Sequence, residues 1–139
     1  MSRYLALDLG AESGRAILGT LEEQRLTLEE LRRFPNVPVR VHSSLYWDTL
    51  RLWHEVQQAL AIAGRERRIH LDGIGVDTWG VDFALLGTDG ALIENPRHYR
   101  DARTNGMLET AFQMIPREEI FAQTGIQFMQ INTLYQLYA

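Results

Sequence analysis

The spacing of apolar positions divides the first third of the chain into three predicted strands and a loop. Apolar runs at residues 3–9, 14–20 and 25–34 are short and are bounded by polar residues, as is typical of β-strands. Because only short polar turns join them, we expect an antiparallel meander. Pro35 and Pro38 then predict a loop across residues 35–44.

The rest of the chain mixes helical patterns with two further apolar runs. Apolar residues recur at helical spacing from Leu50 to Ala63, with Asp48 as a plausible N-cap and Gly64 at the expected end. Six segments complete the pattern: strands at 74–76 and 80–87, an Asp-Gly turn at 89–90, and helices over 101–114, 116–123 and from Asn132 or Thr133. Pro116 suits a first helical position. This order predicts an α/β fold with a mixed sheet rather than a doubly wound parallel sheet.

Composition narrows the chemistry that the chain can carry. The 139 residues, 45% of them hydrophobic, suit one domain of ordinary size, and the net charge of −4 is spread along the chain, which argues against nucleic-acid and membrane-surface partners. There is no cysteine, and all 14 basic residues are arginine, so disulfides, thiolate chemistry, Schiff-base lysines and the lysine of a P-loop are excluded. The amino-terminal apolar stretch is too short for a signal peptide, and we expect a cytoplasmic protein.

The turn between the first two predicted strands, "DLGAESGR" at residues 8–15, carries unusual chemistry. Its glycine spacing fits neither a P-loop nor a dinucleotide-binding fingerprint. The backbone N–H groups of this glycine-containing turn, with the hydroxyl of Ser13 and the charge of Arg15, could instead form an anion-binding hairpin. Asp8 would then repel phosphate unless Mg²⁺ lay between them. An ordinary solvated hairpin is the alternative.

A second polar cluster interrupts the apolar stretch "GIGVDTWGVDFALL" at residues 73–86. Asp77 and Asp82 lie on either side of Trp79 and Gly80, although Asp is depleted in strands and costly in a core. Gly80 would let a ligand approach the backbone closely. The pattern therefore favours a polar pocket over the alternative of a bulge with solvent-facing carboxylates.

Taken together, four motifs resemble the amino-terminal part of the FGGY carbohydrate kinases. They are "DLGAESGR" at 8–15, "GIGVDTWGVDFALL" at 73–86, "YRDARTNG" at 99–106 and "TGIQFMQINTLYQL" at 124–137. The first is shared by many actin- and hexokinase-like ATPases. The second and fourth are narrower and resemble the rhamnulokinase branch of the family.

This resemblance implies a ribonuclease-H-like domain with a mixed five-stranded sheet. It implies ATP and Mg²⁺ as cofactors, a ketose as substrate, and transfer of the γ-phosphoryl to the 1-hydroxyl of L-rhamnulose. The residues it implicates fall into four groups: Ala11, Glu12, Ser13, Gly14 and Arg15 for nucleotide phosphate; Asp8 for the metal; Gly80, Trp79 and Asp82 for the sugar; and Asp101 and Arg103 as supports of the pocket.

The family's general base, an aspartate, and its second ATPase domain have no counterpart within residues 1–139. We therefore expect the chain to be the incomplete amino-terminal domain of a longer kinase, with no catalytic base of its own and no activity alone. A kinase for another ketose or for glycerol is one alternative. A non-catalytic sugar- or nucleotide-binding module of the same fold is another.

Overall fold

The computed structural model describes residues 1–139, which form two compact units. Unit 1 consists of Met1–Val37 and Asp48–Gly80, and unit 2 of Pro38–Trp47 and Val81–Ala139. The strands are β1 (Ser2–Leu9), β2 (Ser13–Glu22), β3 (Arg25–Pro35), β4 (Val39–Val41), β5 (Ser44–Tyr46) and β6 (Gly73–Thr78). The α-helices are α1 (Thr49–Ala61), α2 (Met107–Met114), α3 (Arg117–Thr124) and α4 (Thr133–Tyr138).

Unit 1 is built on a four-stranded mixed sheet with the order β3-β2-β1-β6. The first three strands form the predicted antiparallel meander, with a bulge between Ala16 and Ile17 of β2. β6 adds to β1 in parallel, and it does so after α1 has crossed from one edge of the sheet to the other. The sheet is mixed, as predicted, but it contains four strands and not five.

One face of this sheet packs against α1 and forms the core of unit 1. Leu5, Leu7 and Ala16 are buried there with Ala59 and Ala63. Asp48 caps the helix as predicted, with its Oδ1 accepting a hydrogen bond from the backbone N–H of Arg51 at 3.0 Å. The α-helix does not end at Gly64, because it continues as a π-helical turn over Ile62–Glu66.

Unit 2 combines a small hairpin with the three shorter helices. β4 lies within residues 35–44, which the prolines had predicted to be a loop, and it pairs in antiparallel fashion with β5, which begins at the end of that segment. The centre of the unit is aromatic: Phe112 packs edge-on against Phe128 at 5.2 Å and against Tyr135 at 6.5 Å, measured between ring centroids. The predicted helix at 101–114 begins later than expected, since Ala102–Thr104 form a 3₁₀ turn before α2.

The strand predicted over residues 80–87 is absent, and Val81 supplies the physical reason. Its φ is +71°, a left-handed conformation that β-branched residues rarely adopt and that lies outside the extended backbone of a regular strand. Within these residues only Leu86 takes part in β-pairing, through an isolated bridge with Leu92. The turn at Asp89–Gly90 is confirmed, with Gly90 at a φ of +79°.

Candidate functional site

The tip of the β1–β2 hairpin is a tight, supported turn of four residues. β1 and β2 pair as far as Leu9 and Gly14, and the backbone N–H of Gly10 donates to the carbonyl of Ser13 at 3.1 Å. A Cβ at Gly10 would lie 2.7 Å from that same carbonyl oxygen, so the turn requires glycine there. The backbone N–H groups of Ala11 and Glu12 donate no hydrogen bond within the protein, which leaves them able to meet an anion.

Asn36 supports this tip from the far end of β3 and was not identified from the sequence. It is buried, its Nδ2 donates to the carbonyl of Gly10 at 2.9 Å, and its backbone N–H donates to the carbonyl of Glu12 at 3.0 Å. These two bonds hold both sides of the turn. The only signal in the sequence was an asparagine between two prolines, which reads equally well as an ordinary loop.

Packing against a neighbouring strand, rather than the approach of a ligand to the backbone, explains why residue 14 is glycine. Gly14 pairs with Phe34 of β3, and a Cβ added at Gly14 would lie 2.2 to 2.9 Å from three atoms of that phenyl ring. Real Cβ contacts do not come so close, so the ring itself excludes a larger residue. The absence of a side chain at Gly14 thus seats Phe34, which is buried.

Asp8 and Arg15 are cross-strand neighbours that form an ion pair. The Nε of Arg15 donates to Oδ2 of Asp8 at 3.0 Å, and its terminal Nη2 contacts the same oxygen. On the other side, Asp8 is in register with Asp77 of the parallel strand β6, so the two carboxylates lie on neighbouring strands on the same face of the sheet. The positive charge of Arg15 offsets this concentration of negative charge.

The structure contains no group of three or more His, Cys, Asp or Glu side chains that could hold a metal ion. The donor set around Asp8 fits the mode of binding in which Mg²⁺ uses one or two protein carboxylates and completes its shell with water and phosphate oxygens. Both hydrogen bonds from Arg15 go to Oδ2, and Asp77 is the neighbouring carboxylate. These residues therefore fit an ion that protein carboxylates, water and phosphate oxygens would hold together, and not an ion held by protein ligands alone.

The segment predicted to meet the sugar is divided between the two units. Trp79 and Gly80 end unit 1, where the backbone N–H of Trp79 donates to the carbonyl of Leu9 at 3.2 Å. Gly80 is exposed, and a Cβ placed there would meet no atom within 4 Å. Asp82 belongs to unit 2, where its Oδ2 accepts a hydrogen bond from the indole Nε1 of the buried Trp47 at 2.6 Å.

Asp101 and Arg103 tie separate parts of unit 2 together. Asp101 is buried; its Oδ2 accepts from the backbone N–H of Leu45 at 2.5 Å and its Oδ1 from the backbone N–H of Arg103 at 3.0 Å. Arg103 donates to the carbonyl of Gln136 at 2.9 Å. Burial is the main reason that the pKa of Arg103 is lowered, with a further contribution from the nearby charge of Arg97. These bonds join β5, the 3₁₀ turn at Ala102–Thr104 and α4.

Trp47 and His98 form a stack beside Asp82 that the sequence did not reveal. Their ring centroids lie 4.2 Å apart, and Tyr99 also stacks against His98, at 4.4 Å. Burial lowers the pKa of His98, an effect that the charge of Asp82 opposes. His98 was one of four scattered histidines, and nothing in its local sequence distinguished it.

Comparison with known protein families matches residues 3–138 to the N-terminal domain of the FGGY family of carbohydrate kinases. Among curated relatives, the rhamnulokinase of Bacteroides thetaiotaomicron is 46% identical over 134 residues, which cover 96% of this chain and 27% of the relative. That of Lactiplantibacillus plantarum is 41% identical over 138 residues, 99% of this chain and 28% of the relative. The chain thus spans little more than a quarter of the length of these relatives.

Solved structures support the same fold at low sequence identity. A ligand-bound xylulose kinase from Lactobacillus acidophilus matches 99% of this chain and 28% of its own with a TM-score of 0.78 and 14% identity. Plasmodium falciparum glycerol kinase with ADP matches 99% of this chain and 28% of its own with a TM-score of 0.78 and 12% identity. The predicted α/β fold of the actin and hexokinase type is confirmed, and the chain belongs to the FGGY family of carbohydrate kinases.

Proposed function

We propose that the protein, at its full natural length, is an ATP-dependent rhamnulokinase that transfers the γ-phosphoryl of ATP to the 1-hydroxyl of L-rhamnulose. The observation that carries this proposal is the identity of 40–46% with three curated rhamnulokinases over nearly all of this chain. A cytoplasmic location accompanies it, because ATP is available there. None of the helices in the structure has the length and apolar character needed to cross a membrane.

The β1–β2 hairpin is the proposed phosphate site, formed by Ala11, Glu12, Ser13, Gly14 and Arg15. The two unbonded N–H groups at its tip would donate to phosphate oxygens, and Asn36 keeps the turn in shape before the nucleotide arrives. The side chain of Arg15 is 41% exposed, so its guanidinium can turn from Asp8 to an entering phosphate. Much of the catalysis of phosphoryl transfer comes from such positioned charges.

Asp8 is the proposed contact of Mg²⁺, through metal-bound water or directly. When bound, the ion would neutralise charge on the transferring phosphoryl group. Asp8 itself would orient the ion's water shell, and the release of Arg15 would leave its Oδ2 free to accept from that shell. Asp77, in register beside it, would hold negative charge on the same side.

Gly80, Trp79 and Asp82 are the proposed contacts of the ketose. The open surroundings of Gly80 would let a sugar hydroxyl approach the backbone. The bond from Trp47 fixes one oxygen of Asp82 and thereby the direction of its carboxylate. Asp101 and Arg103 would support this region. The aspartate that deprotonates the 1-hydroxyl would lie outside residues 1–139, so this chain alone would not phosphorylate the ketose.

The test is a substrate panel with the purified full-length protein. ADP formation is followed with ATP and Mg²⁺ and, separately, L-rhamnulose, D-xylulose, D-ribulose, L-fuculose and glycerol, and the product is located by ³¹P–¹H coupling to the protons on carbon 1. The proposal expects kcat/KM to be highest for L-rhamnulose. A higher kcat/KM for another acceptor would replace it with a different kinase, and binding without turnover of any acceptor would favour a non-catalytic module.

A further inference from the structure

Val81 has the most strained backbone near the proposed sugar contacts, and it is held there by specific bonds. Of the four non-glycine residues at positive φ, it is the only β-branched one, at +71°. Such conformations are unfavourable and persist only where the surroundings of the residue impose them. The surroundings of Val81 should therefore show what imposes the conformation.

Two side chains of α4 bind the Val81 carbonyl oxygen. The Oγ1 of Thr133 donates to it at 2.7 Å, and the Nε2 of Gln136 donates at 3.1 Å. Both are one turn apart on the same helix face, since they are three residues apart. A carbonyl with both lone pairs occupied cannot rotate freely, so the peptide plane between Val81 and Asp82 is fixed.

Gln136 is itself held from several directions. Its side chain is buried, its Nε2 also donates to the carbonyl of Ile131 at 2.8 Å, and its Oε1 accepts from Nη2 of Arg103 at 3.3 Å. Arg103 further binds the backbone carbonyl of Gln136 at 2.9 Å. The amide is thus oriented by its partners before it meets Val81.

We infer that Thr133 and Gln136 are positioning residues for the ketose, acting through the conformation of Val81. This inference rests on the proposed function. Val81 directly precedes the proposed sugar contact Asp82 in unit 2, and its carbonyl belongs to the peptide plane that joins the two residues. The two donors therefore fix the backbone from which the Asp82 side chain extends. Without the two donors, Val81 would relax to negative φ and the Asp82 carboxylate would turn away from its present direction.

The experiment uses the full-length protein and separates positioning from folding by a double-mutant cycle. Thr133→Val removes one donor at a half-buried site while keeping the side-chain shape, and Val81→Gly removes the cost of positive φ. We expect Thr133→Val to raise the KM for L-rhamnulose about five- to tenfold, the equivalent of one hydrogen bond, and to leave the KM for ATP within about twofold. In the Val81→Gly background the same substitution should change the ketose KM about twofold or less, because glycine adopts positive φ without the two hydrogen bonds.

Gln136→Leu and Gln136→Glu extend the test. Leu removes every side-chain bond, whereas Glu keeps an acceptor for Arg103 but loses the donor to Val81; both should raise the ketose KM more than the ATP KM. An equal rise for the two substrates, an unchanged ketose KM, or the same loss in the Val81→Gly background would each overturn the inference. Matched melting curves identify any variant that fails to fold, and Thr133→Val then carries the decision.

A readout that does not depend on activity distinguishes failure of the proposed function. The indole N–H of Trp47 donates to Asp82, and its ¹⁵N–¹H signal, assigned by loss in Trp47→Phe, reports on that bond. Thr133→Val should shift this signal, and Val81→Gly/Thr133→Val should shift it less relative to Val81→Gly. If the signal shifts as expected but L-rhamnulose is not phosphorylated, the proposed substrate is wrong and the positioning of Val81 by Thr133 and Gln136 stands. If the signal does not shift, that positioning is wrong whatever the substrate.

Discussion

The phenyl ring of Phe34 occupies the space where a side chain at Gly14 would lie. A Cβ at this position would come within 2.2 Å of the ring, although the two residues sit on paired strands. A glycine in a phosphate-binding turn is usually explained by the approach of the ligand. Here the requirement comes first from the protein's own core.

We therefore expect Gly14→Ala to destabilise the protein in the absence of any nucleotide. Overpacking of this kind costs about 1–3 kcal/mol, which urea denaturation would detect as a lower midpoint. Phe34→Leu, which makes room, should lower the stability alone but reduce the additional cost of Gly14→Ala. Additive effects of the two substitutions, or an undisturbed Gly14→Ala midpoint, would show that ligand approach is the real constraint.

The sequence predicted the elements of unit 1 well because local pattern and tertiary structure agree there. Strands β1, β2 and β3 and the cap at Asp48 all follow from short-range rules of alternation, turn length and capping. The strand over residues 80–87 failed because Val81 is held in a left-handed conformation by α4, about fifty residues further along the chain. No short-range pattern contains that information.

The residues of the candidate site also divide into those that the local sequence indicates and those that depend on distant contacts. Asp8, Arg15 and Gly80 were identifiable because charges and glycines stand out in an apolar run. Asn36 and Gln136 were not, because each acts through a hydrogen bond to a distant carbonyl and each looks ordinary among its neighbours. The sequence thus indicated groups that could meet ligands, with Asp101 and Arg103 as their supports, and missed the supporting side chains of Asn36 and Gln136.

The ion pair between Asp8 and Arg15 should matter for catalysis and little for folding. Both side chains are partly exposed, at 33% and 41%, and exposed pairs add at most about 1 kcal/mol to stability. In the full-length protein we expect Asp8→Asn to lower kcat about a hundredfold or more, the usual effect of losing a charge stabiliser. The exposed pair Glu30 and Arg33 provides the control: Glu30→Gln should leave kcat unchanged. Equal effects of the two substitutions on kcat would remove Asp8 from the site.

Glu55 should make the folded state sensitive to acid. Burial raises its pKa, but hydrogen bonds from Arg32 and Arg51 outweigh that effect, and the net pKa is lowered. A folded pKa below the unfolded value of about 4.3 means that the stabilisation is complete above that pH and is lost as pH falls through the folded pKa. Glu55→Gln should therefore cost about 1.5–3 kcal/mol at pH 7 and less at pH 3.

Glu29→Gln is the matched control for this effect. Glu29 forms an ion pair with Arg67 in which the two side chains are 53% and 44% exposed. Glu29→Gln should change the free energy of unfolding by less than about 1 kcal/mol at both pH 7 and pH 3. A Glu55→Gln difference that stayed constant from pH 7 to pH 3 would show that Glu55 stabilises the protein by packing and not by its charge.

His98 should cause a second loss of stability on acidification, at a higher pH than the loss caused by Glu55. Burial lowers its pKa, so the folded state favours the neutral imidazole that stacks on Trp47. Stability is then complete above the unfolded pKa of about 6.5 and falls as pH drops below it, because the unfolded chain takes up the proton first. His98→Phe keeps an aromatic ring and should flatten the melting temperature between pH 7 and pH 5. A profile as steep as that of the unsubstituted protein would exclude His98 as its cause.

Gly80 and Gly75 offer a matched pair that separates ligand approach from folding. A Cβ at either position would meet no atom within 4 Å, and neither backbone is at positive φ. Gly80→Ala and Gly75→Ala should therefore both preserve the melting temperature, and neither should alter the KM for ATP. If the ketose approaches the backbone at Gly80, Gly80→Ala should raise its KM about tenfold and Gly80→Leu still further, since a methyl group placed in a contact displaces the sugar. Gly75→Ala should leave the ketose KM unchanged. Equal ketose KM values for the two alanine variants would place the sugar elsewhere, and a loss of melting temperature at Gly80 alone would mean that this glycine serves the fold.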